Sequence, residues 1–346
     1  MQITAIKSQK GSMSLEKDLI SDKQKKYNVL FVSSGNIKGF DVAPFIKVQG
    51  DSLSKLNINV TYFRIIGKGF KGYISNIGRL RKILKKSNFD LIHAHFTFSA
   101  WVAVLSRPKI PIVLSLMGTD AYGRVEKLSQ AKPSLNILTV SSLIIQPFVK
   151  KIISKSPNIE KVVWQKNKSN ILPNGVNLDI FYPTEKSCME SLNLKPDKKY
   201  VLFLGNINDP RKNFQLLNKI KKSLRDHNIE ILTPYPIEHS KIIAYLNSAD
   251  LLVMCSLQEG SPNVVKEAMA CNCKGVFTDV GDVASLIGNT KGYVLTDFDP
   301  VDLKNKILGL INTNECDGRS RLLELGLDLN SVALRLKNIY SSVLSK

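Results

Sequence analysis

Lys199-Tyr-Val-Leu-Phe-Leu204 is the stretch on which the fold turns. It is a short apolar run of strand-forming side chains, and it follows a polar interval, residues 177–198, that carries Pro183 and Pro196. A buried strand after a proline-bearing linker starts a new unit. The first half opens the same way, with Val29-Leu-Phe-Val-Ser33. After each opening strand, short apolar runs alternate with helix-length amphipathic segments, the rhythm of a mostly parallel sheet with crossover helices. In the first half this predicts a turn over Ser34–Gly39, a helix near 41–55, a strand at Asn59–Arg64 and a helix over 70–86. Further strands are expected at Asp90–His93, Ile112–Ser115, near Asn136–Val140 and at Asn170–Leu172, and the turn signature Pro173-Asn-Gly-Val176 ends the series. In the second half it predicts helices at 212–226, 238–247 and 262–270, and strands near 229–232, at Asp250–Cys255 and at Gly275–Thr278. The tail from 300 to 346 reads as helical, with Asp299 as N-cap and Pro300 at the first helical position. Two such series imply an α/β protein of two doubly wound, Rossmann-like domains facing across a cleft. Ligands bind beyond the carboxyl ends of such strands. The expected boundaries are a leader over 1–27, a first domain over 28–180, a linker over 181–198, a second domain over 199–328 and a last helix over 329–346 that packs back on the first domain.

Composition narrows the function classes. The 346 residues suffice for two domains with real cores. With 43% hydrophobic and 23% charged residues, a wholly disordered or fibrous chain is excluded. Five cysteines make no disulfide framework, and Cys271-x-Cys273 lacks the second pair a zinc site needs, so a reducing cytosol fits best. No run of 18 apolar residues exists, and Met1–Lys26 has no apolar core of a signal peptide; it reads as a flexible leader, with Met13 as an alternative start. Residues 1–170 hold 28 Lys+Arg against 9 Asp+Glu, a balance of +19, whereas residues 171–346 hold 21 against 20. An anionic partner is therefore expected for the first half: nucleic acid, an acidic membrane face or a phosphorylated substrate.

The chemistry-bearing residues cluster after strands. Glu259-Gly-Ser-Pro-Asn-Val-Val-Lys-Glu267 follows the strand ending at Cys255. Pro262 is placed for the first helical position, leaving backbone N–H groups over 261–264 (Pro262 has none) free for a phosphate, which the positive end of the helix dipole also favours. Glu267 lies one turn after Asn263 on the same helical face, and Glu259 precedes the turn. The competing reading is a capping box with a solvated helix Glu. Gly205-Asn-Ile-Asn-Asp-Pro-Arg-Lys-Asn213 follows the first strand of the second half, and Arg211 and Lys212 would meet a diphosphate or simply lie solvated. In the first half, Gly35 and Gly39 frame a turn whose backbone can approach a phosphate or sugar, though a plain tight turn would look alike. His93-Ala-His95 closes a strand, and a packed core histidine is the alternative to one facing the cleft. Met117-Gly-Thr-Asp120 forms another turn after a strand.

Together these stretches resemble retaining glycosyltransferase family 4, of GT-B fold, from roughly Asn28 to Leu327. The Glu-x7-Glu block Glu259–Glu267 is the most specific part. The resemblance implies a nucleotide-sugar donor, UDP- or GDP-linked, on the second domain. Glu267 would hold ribose hydroxyls and Glu259 the donor sugar. Gly205, Arg211, Lys212 and the segment Gly260, Ser261, Pro262, Asn263 and Val264 would bind the rest. Gly35, Gly39, Gly118 and Thr119 would form the phosphate and acceptor loops, with Asp120 and His95 beside the reacting sugar. It further implies a carbohydrate or polyprenyl- or lipid-linked acceptor, as in bacterial cell-surface polysaccharide assembly, and retention by same-face attack with the leaving phosphate taking the acceptor's proton. Two departures stand out: Asn206 occupies a position where many relatives have Arg, and Met117 replaces the usual His.

No metal or other cofactor is expected, since the helix dipole and the Arg211/Lys212 pair can neutralise the leaving diphosphate, and Asp297-Phe-Asp299 is better explained by Asp299 as an N-cap. Residues 68–86 carry seven basic residues, no acid and an apolar stripe through Phe70, Tyr73, Ile74, Ile77, Leu80 and Leu84. The stripe packs on the sheet or enters lipid, and the basic flank suits an anionic membrane surface. No nucleic-acid module is recognisable, so nucleic acid is not the expected partner. The expected location is cytoplasmic, peripheral on the inner face of the cell membrane. The alternative is an inactive GT-B homologue serving as a basic binding or scaffold protein.

Overall fold

The computed structural model describes residues 26–36, 40–123, 136–184 and 189–345. Its first series runs β1 (Tyr27–Ser34), α1 (Pro44–Ser54), β2 (Ile58–Ile65), α2 (Gly69–Ile74), α3 (Asn76–Lys86), β3 (Leu91–His95), α4 (Thr97–Leu105), β4 (Ile112–Leu116), α5 (Thr119–Tyr122), α6 (Ile137–Ile145), β5 (Lys151–Ser154), α7 (Pro157–Lys161) and β6 (Ser169–Ile171). The second runs β7 (Lys199–Leu202), α8 (Phe214–Lys219), α9 (Lys221–Arg225), β8 (Ile229–Leu232), α10 (Ile242–Ser248), β9 (Leu251–Met254), α11 (Asn263–Ala270), β10 (Gly275–Thr278), α12 (Val283–Ile287), β11 (Tyr293–Thr296), α13 (Pro300–Ile311), α14 (Gly318–Glu324) and α15 (Leu329–Leu344).

Six strands form one sheet in the order β2-β1-β3-β4-β5-β6, and five form another in the order β11-β10-β9-β7-β8. The paired strands run parallel, for example Val29 beside Val60 and Leu202 beside Leu252. In each sheet the order reverses next to the opening strand, between β1 and β3 and between β7 and β9. That reversal leaves a crevice at the carboxyl ends of the two strands. Parallel strands covered on both faces need apolar residues throughout, and Val29, Leu30, Phe31 and Val32 in β1, like all of β9, are buried. A core of Val201, Leu217, Leu224, Val253, Val276, Leu303 and Ile307 with their neighbours fixes the second sheet between its helices. By contact density the described residues divide into two compact units. One comprises those up to 115, with 147–151 and from 333 on; the other comprises 116–146 and 152–332.

Several local expectations change. The segment at 136–140 is a helix, not a strand. Asn136 accepts bonds from the Leu138 and Thr139 amides while Thr139 Oγ1 accepts from the Asn136 amide, a capping box that outweighs the β-branched composition. The missing strand is β5, further along. The helix over 70–86 divides at Ser75, where the Ser75 and Asn76 side chains both take the Gly72 carbonyl, competing with the backbone ladder. The helix over 212–226 is likewise split, into α8 and α9, after a 3-10 turn at Pro210–Lys212. Residues 173–176 form no turn; Val176 makes an isolated bridge with Asp328. Helix α12 and strand β11 were not anticipated. Asp299 caps α13 through the Val301 and Asp302 amides, with Pro300 at its first position.

Candidate active site

The crevice of the second sheet is built by two loops, 203–213 after β7 and 255–262 after β9. Asp209 accepts from the Arg211 amide and starts the 3-10 turn, which places Arg211 and Lys212 on consecutive positions. Lys212 Nζ then donates to Glu259 Oε1 at 2.6 Å, and Ser256 Oγ donates to the same oxygen at 2.9 Å. The Leu257 amide donates to the Arg211 carbonyl at 2.7 Å, so the loops are also joined through backbone. Arg211 itself faces Asp209, with Nη2 donating to Oδ2 at 2.8 Å. Of the two expected diphosphate cations, Lys212 is therefore bridged to the predicted sugar-binding Glu259, and Arg211 is held by a residue of its own turn. Gly205 packs closely: a Cβ there would lie 3.0 Å from the Phe203 ring and 3.4 Å from Lys212 Cγ, so a larger residue would need those side chains to shift. Asn206, the departure from the family pattern, accepts from the Asn208 amide and shapes the loop. The same loop borders a hollow of about 630 Å³ lined by Asp209, Pro210, Phe214, Leu257 and Phe298 among others.

Helix α11 begins one residue later than expected. Pro262 is its N-cap rather than its first residue, with extended backbone, and no side chain caps the helix. The first amides of the helix, from Asn263 on, thus have no intrahelical partner and no side-chain acceptor. Asn263 Oδ1 is buried without a partner. Glu267, nearly buried, bonds His239 Nε2 at 2.9 Å. That bond raises the His239 pKa, so the pair is an imidazolium–carboxylate couple at mildly acidic pH.

The turn after β4 packs on this loop. Gly118 adopts φ +121°, and a Cβ there would lie 3.4 Å from the Gly260 backbone; one on Gly260 would come within 2.7 Å of the Met117 carbonyl oxygen. Gly281, at φ +66°, would place a Cβ 2.5 Å from the Gly260 oxygen. Three glycines, in the loops after β4, β9 and β10, thus meet backbone to backbone; at Gly260 and Gly281 there is no room for a Cβ, and at Gly118 the positive φ disfavours one. Asp120 is buried, and its Oδ1 accepts from the Met117 and Gly118 amides at 2.8 and 3.0 Å, so its carboxylate builds the turn. Tyr122 donates to the Glu259 carbonyl at 2.6 Å. Burial, with Glu259, Asp120 and Asp282 nearby, pushes its phenol pKa far up, so it stays a donor. Thr119 is half-buried beside Asp120.

The first sheet's crevice has a different lining. His93 and His95 do share a face, with ring centroids 4.2 Å apart, but both are buried. His93 bonds Tyr340 OH at 2.6 Å and Ser115 Oγ at 2.8 Å, while His95 packs on Phe31 at 4.7 Å. Phe96, next in the chain, has φ +86°, a strained conformation for a bulky side chain at a strand end. The Gly35 amide bonds the Ile65 carbonyl, and its missing Cβ lets it lie against Arg64. Gly39 lies outside the described residues. Among the described residues no group of three or more His, Cys, Asp or Glu is placed to hold a metal ion.

Sequence reasoning missed Tyr122, Lys155, His239, Lys266 and Asp282. Lys155 stands at the carboxyl end of the unrecognised β5. Asp282 follows Gly281 in the loop after β10, where a loop at a strand's carboxyl end was itself a signal. Lys266 sat inside the quoted block; a charged residue between Val265 and Glu267 on a buried helix was the clue.

Comparison with known proteins places the chain. A model described as Glycosyltransferase Family 4 matches residues 37–180, and one described as Glycosyl transferases group 1 matches residues 218–313. An uncharacterized glycosyltransferase of Methanocaldococcus jannaschii is 29% identical over 269 residues, spanning 72% of this chain and 74% of the relative. A glycosyltransferase of Bacillus subtilis provisionally assigned to teichuronic acid biosynthesis is 29% identical over 228 residues, spanning 58% and 55%. Among solved structures, sucrose-phosphate synthase from Thermosynechococcus elongatus superimposes with a TM-score of 0.73 at 17% identity, covering 92% of this chain and all of that one. Anabaena HepE in complex with UDP-glucose gives 0.68 at 14%, covering 91% and 100%.

Proposed function

We propose that this chain, which belongs to the group 1, family 4 glycosyltransferases and has their GT-B fold, moves a sugar from a UDP- or GDP-linked donor to a hydroxyl of a carbohydrate or lipid-linked acceptor, with retention at the anomeric carbon. The observation that carries this reading is the Lys212–Glu259 bridge beside the uncapped start of α11. A cation, a carboxylate and unpaired amides meet at the strand-order reversal, where a diphosphate and a sugar can be held side by side. Incoming phosphate would draw Lys212 away and free Glu259 to accept from sugar hydroxyls. Glu267 would take the ribose, with His239 holding its orientation. Arg211, Lys212 and the α11 dipole would stabilise the charge developing on the leaving diphosphate, an electrostatic role that needs no metal. The leaving phosphate then takes the acceptor's proton, and no protein base is assigned.

The relative provisionally assigned to teichuronic acid biosynthesis favours a cell-surface polysaccharide as the product. No described helix is long and apolar enough to cross a membrane. Peripheral attachment is proposed through α2, α3 and the segment before them, where Phe70 is 78% exposed, Ile66 and Ile74 are exposed, and Lys68, Lys71, Lys82, Lys85 and Lys86 are exposed on the same stretch of chain. A thermal-shift panel of UDP, GDP, ADP and their sugar conjugates, with and without magnesium, tests the donor. A ligand at a hundred times its dissociation constant should add about 2.7 kcal/mol of stability. A metal-independent shift with one nucleotide series supports the reading; no shift from folded protein defeats it and leaves the inactive homologue.

A further inference from the structure

Lys155 follows β5 at the carboxyl end of a parallel strand and is 2% exposed. Its Nζ has no hydrogen-bond partner, and the charged group acting on it is another lysine, Lys266. Lys266 is 1% exposed, and its Nζ donates to the Asn174 carbonyl at 2.8 Å and to Ser261 Oγ at 3.1 Å. The carboxylates acting on Lys266 are Asp282 and Glu267. The residues after Lys155 fasten it to the candidate site. Ser156 lies beside Tyr122, whose hydroxyl reaches the Glu259 carbonyl; Asn158 bonds the Gly281 carbonyl; and Ile159 Cδ1 lies 3.2 Å from where a Gly260 Cβ would stand. Two further polar atoms of this neighbourhood, Asn263 Oδ1 and Asp282 Oδ1, are also buried without partners.

A buried ammonium without an anion is costly, and a chain tolerates it by discharging it or by pairing it. Burial, and after it Lys266, pulls Lys155 down to about 7, and burial pulls Lys266 to about 8. Lys155 is thus poised near its protonation point at neutral pH, and an arriving oxyanion would hold both amines charged.

We propose that Lys155 and Lys266 form a receptor for an oxyanion of the substrate beside the 259–263 turn. It rests on the reading of the chain as a nucleotide-sugar transferase and adds a substrate requirement to it. The oxyanion is either a phosphate oxygen of the donor or the carboxylate of a uronyl donor sugar.

Calorimetric titrations at pH 8, in buffers of differing ionisation enthalpy, test it. The probes are pyrophosphate, UDP, GDP, UDP-glucose, GDP-mannose and UDP-glucuronate, added to the native chain and to Lys155→Met and Lys266→Met. Methionine keeps most of the stem volume; at Lys155 only an unpaired buried charge is lost, and far-ultraviolet circular dichroism checks that Lys266→Met, which gives up two hydrogen bonds, stays folded. The native chain should take up a proton on binding. Lys155→Met should lose the larger part of that uptake and bind about tenfold or more weakly, the scale of one charge-assisted hydrogen bond. A loss shared by pyrophosphate and the plain nucleotides assigns phosphate; a loss confined to UDP-glucuronate assigns the carboxylate. Unchanged affinity and proton uptake in both variants overturn the receptor while leaving the transferase reading intact. Folded native chain that binds none of the probes overturns both.

Discussion

The two sheets reverse their strand order at equivalent places, yet the crevices are lined by different chemistry. Around β1 and β3 lie Phe31, His93, His95 and Tyr340, a buried aromatic and imidazole cluster in which His93 bonds Tyr340 and Ser115 and His95 packs on Phe31. Around β7 and β9 lie Lys212, Glu259, Arg211 and Asp209, paired charges on loops of partly exposed residues. The same topology therefore provides two mouths, and in the second the described loops bring a lysine and a carboxylate together at the strand-order reversal. This reverses the impression from net charge, since the first half holds nearly all the excess of Lys and Arg. A surplus of surface lysines reports a long-range field; a site is reported by charges that the fold has forced together.

The comparison breaks most plainly at Glu259. Glu259→Ala should lower turnover at least ~100-fold, the scale of losing a preorganised polar contact at the reacting centre. Far-ultraviolet circular dichroism should stay native, and a variant of native turnover sinks the assignment of the second crevice. Next is Gly281→Val, which forces a β-branched residue to φ +66° with its Cβ 2.5 Å from the Gly260 oxygen. It should cost about 3 kcal/mol in urea unfolding or displace the 259–262 turn; the unaltered midpoint would show that the glycine contact is dispensable. Lys212→Met should weaken nucleotide diphosphate binding by about tenfold, whereas His93→Phe should leave it unchanged, which titration of both variants checks.

The smallest effect sharpens the contrast by pH. The lysine at 155 is held below its ordinary pKa, so the unfolded chain binds the proton more tightly and stability rises with pH from about 7 upward. The slope is at most ~1.4 kcal/mol per pH unit for one such group. His239, raised by Glu267, works the other way. Its contribution is fully present below the unfolded histidine value and is lost as pH rises through its raised one. Unfolding midpoints between pH 6 and 9 in native chain, Lys155→Met and His239→Asn would separate the two; parallel curves refute both.

The alternation of strands and helices was legible because a period of two and one of 3.6 leave distinct marks, and both opening strands were found. The segment at 136–140 was not. Its β-branched residues favour a strand, and only the Asn136–Thr139 capping exchange decides for a helix. At the site, Glu259, Glu267 and Lys212 could be read because each stands in a loop or helix start with its own local logic. Lys155, Lys266 and Asp282 could not. Their meaning depends on three strand ends converging, which spacing along the chain does not record.

Pro262 supplies neither a side-chain acceptor nor an amide hydrogen at the head of α11. The amides of Asn263, Val264 and Val265 therefore carry a timestamp of occupancy. In deuterated water they should exchange faster than the rest of their helix while nothing sits on them, and slow once a phosphate does. The proline thereby makes the helix a built-in reporter, readable peptide by peptide without knowing the sugar.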